Sequence, residues 1–146
     1  MNTDFARRQM VQQQVRAWDV LDHRILGVMS ELPREEFVPP EYKALAFADV
    51  EIPLGHGEHM MTPTLEGRVL QAIGVGKDDD VLEVGTGSGF LCACLARLGN
   101  SVTSIEIYED ILERARARLH DRGIGNAELL HMDATRELPS RQRTPI

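Results

Sequence analysis

The sequence predicts an α/β protein built on a doubly wound parallel sheet. Short apolar strands at 81–84, 101–106 and 127–131 alternate with helical stretches at 88–98 and 108–121, the pattern of parallel strands joined by crossover helices. A glycine-rich turn, Glu83-Val84-Gly85-Thr86-Gly87-Ser88-Gly89, joins the first of these strands to its helix. The second strand ends in an acid, Glu106. A carboxylate about 20 residues past such a turn is placed to accept both hydroxyls of a ribose.

The elements follow in order along the chain. Residues 4–18 read as an amphipathic helix with Met10, Val11, Val15 and Trp18 on one stripe. Asp22 is placed to cap a second helix through Ile25, Leu26 and Met29. Pro33 to Pro40 is a turn segment bounded by prolines, and Tyr42 to Phe47 suits a short helix. Residues 49–62 read as a loop with brief extended pieces. Thr62 then caps a helix whose first residue is Pro63. Leu65, Val69, Leu70 and Ile73 form its expected buried face, and Gly74 and Gly76 end it. In the α/β part, Gly99 stops the helix at 88–98 and Gly123 the helix at 108–121. The second of these carries a core stripe of Ile111, Leu112, Ala115 and Leu119, with Asp110 and Arg114 as a solvent-side pair.

Bulk properties narrow the function. The 146 residues carry a formal net charge of −7, which argues against a nucleic-acid surface, since that requires a basic patch. The basic clustering is confined to Arg136, Arg141 and Arg143 near the end of the chain. No apolar run is long enough for a membrane span. Residues 1–20 lack the apolar core of a secretion signal, so a cytoplasmic location is expected. Cys92 and Cys94 stand two apart on one helix, where their side chains diverge, so buried free thiols are expected and no bridge.

The glycine turn also discriminates between ligands. In a dinucleotide fingerprint the third glycine falls one residue later, where this chain has Phe90. Glu83 would add negative charge beside a pyrophosphate but suits an ammonium group. A ligand with an amino-acid head and a ribose is S-adenosylmethionine, and a nicotinamide oxidoreductase is disfavoured. The Glu-x-Gly-x-Gly-x-Gly pattern is similar to motif I of the class I methyltransferases.

Three stretches together carry a narrower resemblance. They are Leu32-Pro33-Arg34-Glu35-Glu36-Phe37-Val38-Pro39, then Ala48-Asp49 with Ile52-Pro53-Leu54-Gly55-His56-Gly57, then Val81 to Gly89. In that order the chain resembles the protein-L-isoaspartate O-methyltransferases, over roughly residues 8–135. The resemblance implies a Rossmann-like fold with an N-terminal helical segment. It also implies methyl transfer from S-adenosylmethionine to the α-carboxyl of an isoaspartyl residue in damaged proteins or peptides, a repair step because the ester collapses to a succinimide. Three regions follow: a helical and loop region at 1–76, the S-adenosylmethionine-binding half at 77–135, and an irregular tail at 136–146.

Carried over by position, Glu83, Gly85, Thr86, Gly87 and Gly89 would form the methionine side of the cofactor pocket. Glu106 would take the ribose hydroxyls, Ile107 would lie against the adenine, Asp133 would meet its amino group, and Ala134 would add a backbone contact there. The family loop reads Gly-x-Gly-Gln-Thr-Ile-Ser-x-Pro, whereas this chain has Gly55-His56-Gly57-Glu58-His59-Met60-Met61-Thr62-Pro63. Met61 therefore stands at the active-site serine. A thioether cannot donate the hydrogen bond that a hydroxyl gives a carboxylate. His59, as an orienting group, and Thr62, as a substitute hydroxyl, join Met61 as catalytic candidates. Departures in this loop leave room for a small-molecule acceptor, favoured by Met60 and Met61, or for an inactive cofactor-binding fragment. His56, Glu58 and His59 are zinc-ligand types, but their spacing is not that of a zinc motif, and no metal is expected. His23, His120 and His131 read as surface or strand-end residues.

Proteins of that family run on through further strands, while the tail here has no strand pattern. The strand at 81–84 would then be an exposed apolar edge, an association hazard. Either the product is shortened or frame-shifted, or another chain supplies the edge. The second reading predicts a homodimer through that strand.

Overall fold

The structure, a computed structural model, describes residues 2–139. It opens with helix α1, Thr3–Met10, which widens into a π-turn at Val11–Val15 and tightens into a 3₁₀ turn at Arg16–Trp18. The expected single helix is thus three pitches in succession. Met10, Val11 and Val15 reach the core as expected, but Trp18 is 56% exposed. By then the backbone has tightened and turned, and Asp19 behind it adopts a left-handed conformation. Helix α2, His23–Glu31, starts on Asp22, whose carboxylate accepts from the Arg24 amide at 2.9 Å. Two 3₁₀ turns, Arg34–Glu36 and Pro40–Leu45, take up the proline-bounded stretch and most of the expected short helix.

The loop then folds as an antiparallel hairpin of β1, Ile52–Gly55, and β2, Glu58–Met60. Its two central residues, His56 and Gly57, both have positive φ, as primed hairpin turns require. Helix α3, Pro63–Ile73, is capped by Thr62 Oγ1, which accepts from the Leu65 amide at 3.3 Å, and ends on left-handed Gly74. Its buried face differs from the expected stripe. Thr64, Glu66, Gly67 and Leu70 are buried, while Leu65 and Ile73 are half-exposed. Periodicity alone favoured the apolar residues, but Arg34 draws Glu66 inward and so sets the rotation of the helix.

The α/β part runs β3 (Asp80–Val84), α4 (Phe90–Leu98), β4 (Ser101–Glu106), α5 (Glu109–Asp121) and β5 (Ala127–His131). The three strands form a parallel sheet in the order β3-β4-β5. The expected parallel sheet is therefore present, and among the described residues β3 is one of its two edges. Helix α4 begins at Phe90 because Gly89 occupies its cap position at φ +92°. It is apolar on nearly all sides and buried between the sheet and α2, as a helix covered on two faces must be. Phe90 and Phe37 meet edge to face, with centroids 5.6 Å apart, tying the N-terminal region to the sheet. Cys92 and Cys94 are buried free thiols, and burial pushes both above the usual thiol range. No helix among the described residues is long and apolar enough to cross a membrane. The expected basic residues Arg141 and Arg143, and most of the expected tail, lie outside the described residues.

Candidate functional site

The register of the sheet builds the site. Pairing of Glu83 with Ser104 and of Val84 with Ile105 brings the C-terminal ends of β3 and β4 level. The chain leaving β3 cannot continue the ladder. It turns through Gly85, whose amide donates to the Ile105 carbonyl at 2.8 Å, and enters α4. Gly85 has φ +94°, and a Cβ there would meet no protein atom within 4 Å. It faces open space at the place where a bound group can approach bare backbone. Gly89 differs, because its Cβ would lie 3.2 Å from that of Ala115. This third glycine lets α4 and α5 approach each other and lines neither cavity of the site.

A groove crosses the ends of the strands. One wall is the hairpin, with Leu54, Glu58 and His59; the other comprises Val84, Gly85, Gly87, Glu106, Ile107, Asp133 and Ala134, with Met132 and Thr135 beside them. Glu106 is buried and doubly anchored. Its Oε1 accepts from the Gly87 amide at 2.9 Å and its Oε2 from the Tyr108 amide at 3.2 Å. Each carboxylate oxygen has a second lone pair, so both can still accept from a ligand hydroxyl. Asp133 accepts from the amide and hydroxyl of Thr135, and these bonds hold its carboxyl below the usual range.

A smaller cavity adjoins the groove, lined by His59, Met60, Met61, Glu66, Glu83, Gly85, Thr86, Gly87 and their neighbours. Glu83 accepts from Ser104 Oγ at 2.5 Å, and Ser104 in turn lies 2.6 Å from Thr86 Oγ1. Burial, partly offset by the Ser104 bond and reinforced by the charges of Glu106 and Glu66, pushes the Glu83 carboxyl up to about 8. Behind the cavity, fully buried Arg34 bonds Glu66 at 3.0 Å, the Met61 carbonyl at 3.0 Å and the Ala46 carbonyl, and stacks over Phe90. Burial raises Glu66 to about 7 against the pull of Arg34. Among the described residues no lysine or arginine lines either cavity.

The sequence-predicted residues therefore gather in two groups and leave two outside. Glu106, Ile107, Asp133, Ala134 and the glycines at 85 and 87 share the groove. Glu83, Thr86 and Met61 share the smaller cavity with the same glycines, and His59 faces both. Gly89 packs helices, and Thr62 spends its hydroxyl capping α3. Of the three zinc-type residues, His56 has left the group and points to Asp110 at 2.8 Å. Sequence reasoning missed Leu54, Ser104, Glu66 and the role of Arg34. Ser104 had a signal, since it alternates with Glu106 on one face of β4. Glu66 had none.

A parallel sheet with a glycine turn after β3 and an acid at the end of β4 places the chain in the Rossmann-like fold class of the S-adenosylmethionine-dependent methyltransferases. A family model of protein-L-isoaspartate(D-aspartate) O-methyltransferase matches residues 6–141, and the chain belongs to that family. A Rhodopseudomonas palustris protein-L-isoaspartate O-methyltransferase is 37% identical over 139 residues, covering 94% of this chain and 57% of the relative. An Aeropyrum pernix relative of the same name is 38% identical over 138 residues, 92% of this chain and 53% of its own length. A solved protein-L-isoaspartate O-methyltransferase superposes with TM-score 0.72 at 26% identity, over 87% of this chain and 42% of that one. A Plasmodium falciparum structure solved with S-adenosyl-L-homocysteine shares the fold, with TM-score 0.73 at 18% identity, over 86% of this chain and 62% of that one. The chain spans a little over half the length of the curated relatives it matches.

Proposed function

We propose that this chain binds S-adenosylmethionine in the groove between the hairpin and the strand ends, and methylates the free carboxyl of isoaspartyl residues in proteins or peptides. The observation that carries the reading is Glu106, held by two backbone amides beside the open space at Gly85. The donor set fits the group: a paired acceptor for ribose hydroxyls, bare backbone for close approach, and buried acids for an ammonium. Glu106 would hold the ribose, Ile107 and Ala134 the flanks of the base, Asp133 its amino group, and Glu83 the amino-acid head.

When bound, S-adenosylmethionine supplies an electrophilic methyl carbon on a positively charged sulfur. The protein's task is then positioning, worth several orders of magnitude in rate when the reacting atoms are held in contact. An acceptor carboxylate is already ionised at neutral pH, so no general base is needed. His59 reaches both cavities and is, among the described residues, the one basic side chain lining them, so it is assigned to the acceptor carboxylate. Met61 borders the same cavity, with its backbone fixed by Arg34. We further propose that the β3 edge of the sheet, where Val84 is 61% exposed, pairs with a second copy of this chain. The work is assigned to the cytoplasm, where the two unbridged thiols are at home.

The test is calorimetric titration of the full chain with S-adenosylhomocysteine, with NAD as control, followed by methyl-ester formation on an isoaspartyl peptide. Binding of the first ligand alone, weakened by Glu106→Gln, supports the cofactor site. Ester formation on the isoaspartyl peptide, but not on its aspartyl twin, supports the acceptor. Sedimentation as a single copy would sink the edge pairing.

A further inference from the structure

The hairpin is rooted at its base and exposed at its tip. Ile52, Leu54 and Met60 are buried, and Arg34 fixes the following carbonyl of Met61. The tip, Gly55 to Glu58, is solvent-exposed, yet it is docked. The His56 ring lies flat on Tyr108, with centroids 4.1 Å apart and planes 10° from parallel, and its Nε2 is 2.8 Å from Asp110 Oδ1. Arg114 bridges the same two elements, donating to the Leu54 carbonyl and to Asp110 Oδ2, each at 3.4 Å. These contacts join the hairpin to the start of α5, more than 50 residues away. His56 makes them from φ +55°, a conformation that a side chain rarely adopts, so the ring is presented by a backbone that local preference would not choose. The docking point lies at the ligand groove. Tyr108 gives its amide to Glu106, and Leu54 comes within 3.4 Å of a Cβ built on Gly87.

We infer that His56, Tyr108 and Asp110 form a latch that holds the β1–β2 hairpin as a wall of the groove, making His56 a positioning residue that retains whatever the groove binds. The inference deepens the cofactor reading and rests on it for the identity of the occupant. Among the described residues the wall is packed at its base and held at its tip by these surface contacts, so it is free to swing when they break. The latch thus controls escape from the groove more than entry. His56 and Asp110 are exposed, so their loss leaves the core untouched, whereas Tyr108 is half-buried and also packs against the core.

The latch is tested in the ligand-free full chain by amide hydrogen exchange at Glu58–Met60. His56→Asn keeps a residue that tolerates left-handed backbone and removes the stack. Asp110→Ala and Tyr108→Ala remove the other partners, and Tyr108→Phe keeps the ring. The first three substitutions are expected to speed exchange at the hairpin about tenfold, His56→Asn and Asp110→Ala while leaving α4 and β4 unchanged, and Tyr108→Phe is expected to be silent. Dissociation of S-adenosylhomocysteine, followed by stopped flow, is expected to quicken three- to tenfold in the same three variants, with association rates unchanged. The His56→Asn, Asp110→Ala double variant should be no worse than either single one. Unchanged hairpin exchange overturns the latch. Faster exchange with unaltered dissociation overturns its role in retention. A wild-type chain that shows latch-dependent exchange and binds no S-adenosylhomocysteine overturns the cofactor reading and leaves the latch standing.

Discussion

Ser104 Oγ donates to Glu83 Oε1 across 2.5 Å from inside the sheet, and this is the only side-chain hydrogen bond seen on that carboxyl among the described residues. One hydroxyl does not compensate for removing a carboxylate from water. Burial therefore pushes Glu83 up to about 8, and the nearby Glu106 and Glu66 add to the rise. The acid assigned to a ligand's ammonium is thus protonated at neutral pH until such a ligand arrives.

That state makes ligand binding release a proton. An ammonium beside Glu83 favours the carboxylate, so the affinity for S-adenosylhomocysteine is expected to climb as pH rises toward 8 and to level off above it. The slope is at most about tenfold per pH unit for one linked group. Titration at pH 7 in two buffers of different ionisation enthalpy should give different apparent heats. Identical heats in both buffers would disprove the linkage. Glu83→Gln should bind more weakly and lose the slope.

The same shift governs stability without ligand. In the unfolded chain Glu83 and Glu66 give up their protons near 4.5, whereas in the fold they keep them up to about 8 and 7. Between those limits the native state holds more protons than the unfolded one, so raising the pH costs stability, by up to about 1.4 kcal/mol per unit for each group. The melting temperature is expected to fall from pH 5 to pH 8. Glu83→Gln should flatten the fall, and a rising melting temperature would refute the assignment.

Much of the fold was legible because its signals are local. Asp22 and Thr62 are helix caps, and the sheet follows from strand and helix alternation. The glycine turn and Glu106 also belong together on sequence grounds, since one crossover fixes their distance. What escaped depends on pairing between distant segments. The Arg34–Glu66 contact joins residues 32 apart, and the pull of Glu66 into the core is what turns Leu65 and Ile73 outward. His56 looked like a metal-ligand type because its neighbours in sequence are Glu58 and His59, while its partners in space, Tyr108 and Asp110, lie beyond the whole of β3 and β4. Trp18 failed because a helical stripe presumes a constant pitch.

Gly85 and Gly89 should fail in different ways when changed to alanine. Both have positive φ, so each substitution carries about 1–2 kcal/mol of backbone strain. At Gly85 the new methyl meets no protein atom within 4 Å. The expected outcome is a small drop in melting temperature and at least a tenfold loss in S-adenosylhomocysteine affinity. At Gly89 the methyl meets Ala115 at 3.2 Å, so destabilisation is the greater effect. Equal affinity losses at equal stability would contradict the division.

Arg34 and Glu66 form a buried pair whose halves depend on each other. Arg34→Met leaves Glu66 without its cation and releases the carbonyls of Ala46 and Met61. Breaking one side of such a pair costs about 3–5 kcal/mol. Glu66→Leu alone strands a buried guanidinium and should cost a comparable amount. The double variant should recover part of the loss, since an apolar pair of similar volume often replaces a buried ion pair without penalty. Denaturant unfolding of the four chains measures the coupling, and additive losses would show that the two residues act separately.

Met61 offers the sharpest test of the acceptor. Its backbone is fixed by the Arg34 bond and it borders the cavity that also holds His59 and Glu83. The family pattern has a serine here, and a hydroxyl can donate to a carboxylate where a thioether cannot. A hydrogen bond to a charged group contributes about 1.5–3 kcal/mol. If that bond forms with the acceptor, Met61→Ser should raise kcat/KM for an isoaspartyl peptide by roughly ten- to a hundredfold. S-adenosylhomocysteine affinity should change little, because no cofactor group is assigned to the Met61 side chain. Met61→Ala opens the same space without the hydroxyl and should gain little. Equal gains from serine and alanine would mean that the methionine only obstructs the cavity. A loss with serine would mean that the acceptor is apolar and is held by the thioether, so that this chain's substrate departs from its family's.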